Sequence, residues 1–264
     1  MTRWRMLKLQ THDAAMNMAI DEAILTNRIE SKVPNTIRFY RWNPSAASVG
    51  RFQDVQKEVQ LESCRKCGVD IVRRITGGGT VYHDSEGEIT YSVVASKADL
   101  GSSDLARVYA RIYSGLVEAL RLLGITSDFS EGNQNTCPNL TVRGKKISGS
   151  AQAHKSGIVL QHGTLLLSVD LERMFSLLQV PWARTCAEVI GVASSRITSI
   201  SQELARNVSS NEVGNALVKG FQKILDSRLE EIGLMHYEKE WAERLCKEKY
   251  ATDEWTLHGR SELS

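Results

Sequence analysis

Apolar residues recur at three- and four-residue steps between Asp13 and Arg28, where Met16, Ala19, Ile20, Ala23 and Ile24 fall on one stripe. That spacing predicts an amphipathic helix. After Pro34, the segments Thr36–Trp42 and Ala46–Gly50 are rich in residues that suit strands. The charged stretch Gln56–Cys67 reads as a helix closed by Gly68. Asp70–Ile75, Thr80–His83 and Ile89–Ala95 read as strands, with three consecutive glycines between the first two. Leu105, Val108, Ile112, Leu116, Ala119, Leu120 and Leu123 then predict a helix over 104–123, inward on that stripe and ended by Gly124. Leu140–Arg143, Lys146–Ala153 and Ile158–Ser168 are strand-like, divided by turns at Gly144-Lys145 and Ser156-Gly157. From Leu171 onward the pattern is helical, and Ser209 with Glu212 has capping-box spacing ahead of Val213, Leu217 and Ile224. The order of elements predicts an α+β fold with mixed sheet flanked by helices and a helical C-terminal third. Nothing in the pattern divides residues 1–264, so a single domain is expected.

Composition narrows the class. A net charge of +2 in 264 residues excludes the strongly basic surface of a sequence-independent nucleic-acid binder. The longest apolar run, Ile158–Val169, is broken by Gln161 and His162, so no membrane span is expected. No basic segment followed by an apolar one opens the chain. The five cysteines, at 64, 67, 137, 186 and 246, form no disulfide framework. A reduced, soluble, cytoplasmic protein is the expectation.

The densest chemical signal is Arg73-Arg74-Ile75-Thr76-Gly77-Gly78-Gly79-Thr80-Val81-Tyr82-His83-Asp84. Three glycines between strands permit positive φ and a close backbone approach to a ligand. Two arginines ahead of them are suited to phosphate or carboxylate. A plain glycine-rich hairpin with surface arginines is the alternative, but the added His83-Asp84 pair favours a ligand loop. It is not a Walker loop, because no Gly-Lys-Ser/Thr follows, nor a dinucleotide fingerprint, because a strand follows.

A second signal is Gly144–Gln152, where Lys146 heads a strand of small residues including Ser148 and Gly149. Small neighbours leave room for an anionic ligand beside the ammonium, although a Lys-Lys pair at a turn is commonly just solvated surface. The third is Gln161-His162-Gly163-Thr164, polar residues inside an apolar strand. A hydrogen-bonded core histidine is the ordinary reading, while Gly163 points to close approach of a backbone or ligand. Cys64 and Cys67 have zinc-ligand spacing without a second pair and read as structural. Cys137, beside Pro138 in a polar loop, is a candidate nucleophile without a visible activating base.

Together these stretches resemble the lipoate–protein ligase family, whose catalytic fold is shared with biotin ligases and octanoyltransferases. The resemblance starts at Asn17–Ala23, continues through Ile37–Tyr40, Val49–Gln53, Arg73–Asp84, Gly144–Ala151 and His162–Thr164, and ends near Tyr250–Trp255. It implies a biotin/lipoate ligase-like catalytic domain. In the ligases, lipoate attacks the α-phosphate of ATP to give lipoyl-AMP, and an acceptor lysine then takes the acyl group. By resemblance, Lys146 is the catalytic lysine and bridges carboxylate to phosphate. Arg73, Arg74, Gly77, Gly78, Gly79 and Thr80, with Ser148, Gly149, His162, Gly163 and Thr164, are expected to bind substrate and nucleotide. His83 and Asp84 would lie at the nucleotide end, with Asp84 helping to hold Mg²⁺. Ile158–Leu160 would line the slot for the acyl tail or, equally, belong to the core. The implied acceptor is a lipoyl domain of a 2-oxoacid dehydrogenase E2 or a glycine-cleavage H protein.

Departures from the family pattern leave two activities open. Ser85-Glu86-Gly87-Glu88 stands where ligases commonly have Leu-Gly-Asn, Pro138-Asn139 stands for Asn-Asp, and no C-terminal accessory domain is visible. The leading expectation is the catalytic subunit of a two-part lipoate–protein ligase, completed by a separate accessory subunit. The alternative is an octanoyltransferase that takes its acyl group from an acyl carrier protein onto Cys137. Gly149-Ser150-Ala151-Gln152 and Asp253-Glu254-Trp255 resemble the transferases, whereas Gly77-Gly78-Gly79 replaces their usual Gly-Gly-Arg and Cys137 lies closer to the lysine strand. A biotin ligase is disfavoured because its Gly-Arg-Gly-Arg run is missing.

Overall fold

The computed structural model describes residues 3–132, 138–183 and 185–263. The chain opens with β1 (Trp4–His12), α1 (Ala14–Ile29), β2 (Asn35–Trp42) and β3 (Ala46–Val49). Two short helices, α2 (Val55–Glu58) and α3 (Leu61–Lys66), lead to β4 (Asp70–Arg73), β5 (Val81–His83) and β6 (Glu88–Ser96). The long helix α4 (Leu105–Leu122) precedes β7 (Asp128–Ser130), β8 (Asn139–Val142), β9 (Lys145–Lys155) and β10 (Ile158–Leu166). Four helices follow: α5 (Leu171–Leu177), α6 (Cys186–Ser194), α7 (Ile200–Leu204) and α8 (Ser210–Leu225). The chain ends with β11 (Glu230–Glu231), α9 (His236–Leu245), a π-helical turn (Cys246–Tyr250) and α10 (Asp253–His258).

Among the described residues, eight strands form a mixed sheet in the order β11-β1-β2-β6-β10-β9-β8-β7. A second sheet, β4-β3-β5, stands apart. Alternation along the central strands sorts their side chains between two layers. Tyr91 and Val93 of β6, with Val159 and Leu165 of β10, pack against Val108, Ile112 and Leu116 of α4 and Leu217 and Phe221 of α8. The opposite positions Val94 and Leu160 pack against Met18, Ala23 and Ile24 of α1. On that same face of β10, two and four residues beyond Leu160, lie His162 and Thr164. Gly220 permits the close crossing of α4 and α8, since a Cβ there would strike the Gly115 carbonyl.

Local chemistry explains most boundaries. Asp13 and Asp104 cap α1 and α4 by accepting from the amides of Met16 and Arg107. Arg143-Gly144 and Ser156-Gly157 each carry two successive positive φ angles, as two-residue hairpin turns require. Ser209 caps α8 at the Glu212 amide, but the Glu212 carboxylate pairs with Arg206 instead of completing the box.

Several elements differ from the sequence pattern. β1 escapes it because Arg5, in the middle of an apolar run, is fully buried against Glu238 and Thr36. The expected helix 56–67 breaks at Val59, which turns extended (φ −130°, ψ 136°) and bridges to Leu178. Leu105, expected inward, is the first residue of α4 and is 48% exposed. No helix among the described residues is long and apolar enough to cross a membrane.

Candidate active site

A cavity of about 310 Å³ lies where the inner face of the large sheet meets β3, β5 and α5. Its volume is at the lower end of small-molecule sites. Tyr40 and Trp42 come from β2, Ser48 from β3, and Val81, Tyr82 and His83 from β5. Lys146, Ser148 and Gly149 come from β9, and His162, Gly163 and Thr164 from β10. Apolar cover is supplied by Met18, Leu166, Met174, Phe175, Leu178 and Ile197.

The glycine loop forms one wall, with Gly78, Gly79 and Thr80 reaching the cavity. Gly78 has φ +88°, and a Cβ there would meet the Ala151 methyl at 3.4 Å. Arg74 lines the cavity but holds the loop's shape. Its Nη2 donates to the carbonyls of Gly77 (3.1 Å) and Gly79 (2.9 Å), its Nη1 to Ser48 O (2.8 Å) and Oγ (2.7 Å), and its Nε to Thr76 Oγ1 (3.3 Å). These contacts engage all five guanidinium donors.

Arg73 is a correction to the sequence reading. It does not line the cavity; its guanidinium donates to the carbonyls of Gly50, Gln53, Trp255, Thr256 and Leu257 at 2.7–3.1 Å. The Trp255 indole N–H returns a bond to the Arg73 carbonyl (2.8 Å), which locks α10 beneath the loop. Asp84 is a second correction. Its Oδ1 accepts from the amides of Glu86 (2.9 Å) and Gly87 (2.8 Å), and its Oδ2 from the Tyr82 hydroxyl (3.3 Å). The carboxylate therefore caps the turn into β6, outside the cavity lining, and does not fit the expected Mg²⁺ ligand. Among the described residues no cluster of three His, Cys, Asp or Glu could hold a metal ion.

The facing wall carries Lys146, exposed at the head of β9. Its amide donates to Arg196 O (2.7 Å) and its carbonyl accepts from Thr198 N (3.0 Å), so the backbone is fixed while the side chain reaches the cavity. Gly149 makes room for that side chain: a Cβ there would stand 2.6 Å from Cε and Nζ of Lys146. Gly163 is equally constrained, since its Cβ would lie 2.6 Å from Ser150 Cβ and 2.8 Å from the Tyr91 hydroxyl. Ser148, 1% exposed, lines the cavity with a buried hydroxyl that has no hydrogen-bond partner among the described residues. Leaving such a group unsatisfied costs about 1–3 kcal/mol, which a ligand oxygen would recover.

Behind these walls lie buried polar residues. His162 reaches Asp21 through Nδ1 (3.0 Å) and Thr76 through Nε2 (2.8 Å). Asp21 also accepts from Arg38 (2.9 Å), Tyr40 (3.0 Å) and Ser92 (2.9 Å). Burial pushes the His162 pKa down, against the opposing pull of Asp21. The hydrogen bond from His162 and the Arg38 charge hold Asp21 below the ordinary carboxylate value, although burial opposes them. His83 contacts Ser48 Oγ (2.6 Å) and Glu88 Oε1 (2.8 Å), with its ring stacked on Trp42 at 3.9 Å.

The structure thus brings Arg74, Gly78, Gly79, Thr80, His83, Lys146, Ser148, Gly149, His162, Gly163 and Thr164 to one cavity, and leaves Arg73, Gly77 and Asp84 outside its lining. Cys137 lies outside the described residues. Ile158 and Leu160 belong to the α1-side core and do not form the expected acyl slot. The sequence reading missed the cavity residues of α5, whose apolar positions looked like ordinary helix. It also missed Asp21, although Asn17 and Asp21 are polar groups four residues apart beside the apolar stripe of α1.

Comparisons with known proteins agree with the fold. The family model for the lipoyl protein ligase A/B catalytic domain matches residues 13–222. Octanoyltransferase LipM of Anoxybacillus flavithermus is 36% identical over 273 residues, covering 96% of this chain and 98% of that protein. Octanoyltransferase LipM of Oceanobacillus iheyensis is 40% identical over 253 residues, covering 91% of each. A solved bi-partite lipoate protein ligase, studied with its E2 lipoyl domain from Thermoplasma acidophilum, superposes with TM-score 0.85 and 31% identity over 100% of both chains. Lipoate-protein ligase A bound with ATP superposes with TM-score 0.82 and 30% identity, covering 97% of this chain and 99% of that one.

Proposed function

Because the chain belongs to the lipoyl protein ligase A/B catalytic-domain family, we propose that it is an octanoyltransferase, moving an octanoyl group from an acyl carrier protein to a lysine of a lipoyl domain. Residues 1–264 act as one catalytic unit in this reading. The observation that carries it is the 36–40% identity to octanoyltransferases over more than nine-tenths of each chain. The ligase that led the sequence expectations has solved relatives, one of them bound with ATP, but the site supports it less well. ATP activation needs cationic groups around a polyphosphate and a carboxylate to hold their metal ion. Here Arg74 has its donors engaged, Arg73 faces away from the cavity and Asp84 caps a turn.

Cys137 is the acyl nucleophile of the proposal, on its chemistry and its place beside Pro138 in the sequence. Its thiol loses its proton as the sulfur attacks the thioester carbonyl carbon, and that proton leaves on the carrier sulfur as the free thiol. The acceptor lysine amine then attacks the acyl-cysteine, loses a proton and expels the thiolate. Lys146 stabilises the oxyanion of both tetrahedral intermediates by charge, and the Ser148 hydroxyl donates to the same oxygen. The mostly apolar lining excludes water from the thioester, and Gly78, Gly149 and Gly163 keep the slot open.

The test is a transfer assay with octanoyl carrier protein and an apo lipoyl domain in the absence of ATP. Octanoylation of the acceptor lysine is expected. Modification that requires free acid and ATP, with pyrophosphate release, would overturn the proposal in favour of a ligase.

A further inference from the structure

We infer that Glu88 is a positioning residue: through His83 and Ser48 it fixes Arg74, and with Arg74 the carbonyls that shape the glycine loop. Glu88 is 1% exposed and stands behind the cavity wall at the start of β6. Its effect can be followed proton by proton. A guanidinium only donates, so Ser48 Oγ accepts from Arg74 Nη1 at 2.7 Å. The Glu88 carboxylate only accepts, so the imidazole proton sits on Nδ1 and is donated to Glu88 Oε1 at 2.8 Å. In that tautomer Nε2 offers a lone pair, and it accepts the Ser48 proton at 2.6 Å. Thr90 Oγ1 donates to the same carboxylate oxygen at 2.6 Å and accepts the Trp42 indole N–H at 2.8 Å. One carboxylate oxygen thus fixes the His83 tautomer and the Thr90 hydroxyl, the reversible members of two branches. One ends at the Gly77 and Gly79 carbonyls, the other at Trp42, which also stacks on His83.

The order Ser48, His83, Glu88 has the connectivity of a hydrolase triad, but the groups are arranged to hold and not to attack. Ser48 is 0% exposed, and its oxygen takes the Arg74 N–H. Removing the Glu88 carboxylate frees His83 to adopt the other tautomer. Both Nε2–H and the Arg74 N–H would then aim at Ser48 Oγ, whose own proton would lose its acceptor. Arg74 would shift, and the glycine-loop carbonyls would lose their donor. The inference rests on the proposed function only for the identity of the acyl ligand.

Long-range ¹H–¹⁵N spectra report histidine tautomers directly, with His83 assigned through a His83→Gln difference spectrum. Wild type should show the Nδ1–H tautomer. Glu88→Ala should shift His83 toward Nε2–H and weaken octanoate binding, read by calorimetry, about tenfold. Glu88→Gln, which keeps an acceptor oxygen, should restore both. A residue with only a packing role would leave the tautomer unchanged. A proton on Nε2 in wild type, or octanoate affinity in Glu88→Ala within about twofold of wild type, overturns the inference. Should Glu88→Ala fail to fold, Ser48→Ala interrupts the relay with a smaller change and should weaken octanoate binding equally; unchanged affinity there is also contradictory. Failure of wild type to bind octanoate would count against the proposed substrate, while the tautomer spectrum would still decide the relay.

Discussion

Arg74 and Lys146 both line the cavity, yet their positive charges are deployed in opposite ways. Arg74 is 5% exposed, with its donors directed to loop carbonyls and to Ser48. Lys146 is exposed, and its ammonium lies over a position that only glycine fills without contact. Beside Arg74, the serine hydroxyl of Ser48 has two partners; beside Lys146, that of Ser148 has none among the described residues. The glycine-loop wall is satisfied internally, so it supplies shape. The β9 wall turns the Lys146 side chain and the Ser148 hydroxyl toward the cavity, and it is the wall to which the proposed function assigns the chemistry.

Substitutions on the β9 wall and behind the glycine-loop wall should therefore fail differently. The largest effect on turnover is expected from Lys146→Ala, which should cut octanoyl transfer by about a hundredfold or more while leaving the urea midpoint unchanged. Retained activity with lost stability would reverse the assignment of the two walls. Arg73→Lys should do the opposite. A lysine offers three donors where the guanidinium serves carbonyls from Gly50, Gln53 and Trp255–Leu257, so a loss of about 3 kcal/mol in unfolding free energy is expected. Transfer by the folded fraction should fall far less than in Lys146→Ala, and a purely catalytic defect would break the comparison.

The smallest effect concerns pH. Burial lowers the His162 pKa from its ordinary 6.5, so the unfolded chain binds this proton at higher pH than the folded protein does. Its contribution to stability is complete above about pH 6.5 and declines as pH falls below it, with a slope of at most about 1.4 kcal/mol per pH unit. Asp21, held below its ordinary 3.8, adds loss of the same sign at still lower pH. Urea unfolding at pH 7.5 and 5.5 should show wild type less stable at the acid value, and His162→Gln should flatten that difference. An unchanged difference would mean that His162 is not the group responsible.

Elements whose signal is local were legible in the sequence. The stripes of α1 and α4 and the glycine turns flanking β9 follow from capping and periodicity, and the structure places them within a few residues of expectation. What escaped depends on distant partners. β1 is masked by the charge of Arg5, which is neutralised 233 residues later by Glu238. The helix over 56–67 breaks because Val59 pairs with Leu178. At the site, the glycine loop, Lys146 and His162 stand out as residue types placed against their surroundings. The roles of the arginines do not, because a guanidinium that binds a ligand and one that binds carbonyls read identically in one dimension. Asp84 is the same case, since only the turn it caps shows where its oxygens go.

The proposed transfer passes through a covalent acyl-enzyme formed without nucleotide. Intact-protein mass after exposure to octanoyl carrier protein, with ATP omitted, reads it directly. The expected result is the gain of one octanoyl group in wild type and none in Cys137→Ser, whose transfer activity should fall by more than about a thousandfold. An unmodified wild-type protein, or a Cys137→Ser variant that still transfers octanoate once ATP is supplied, would contradict it.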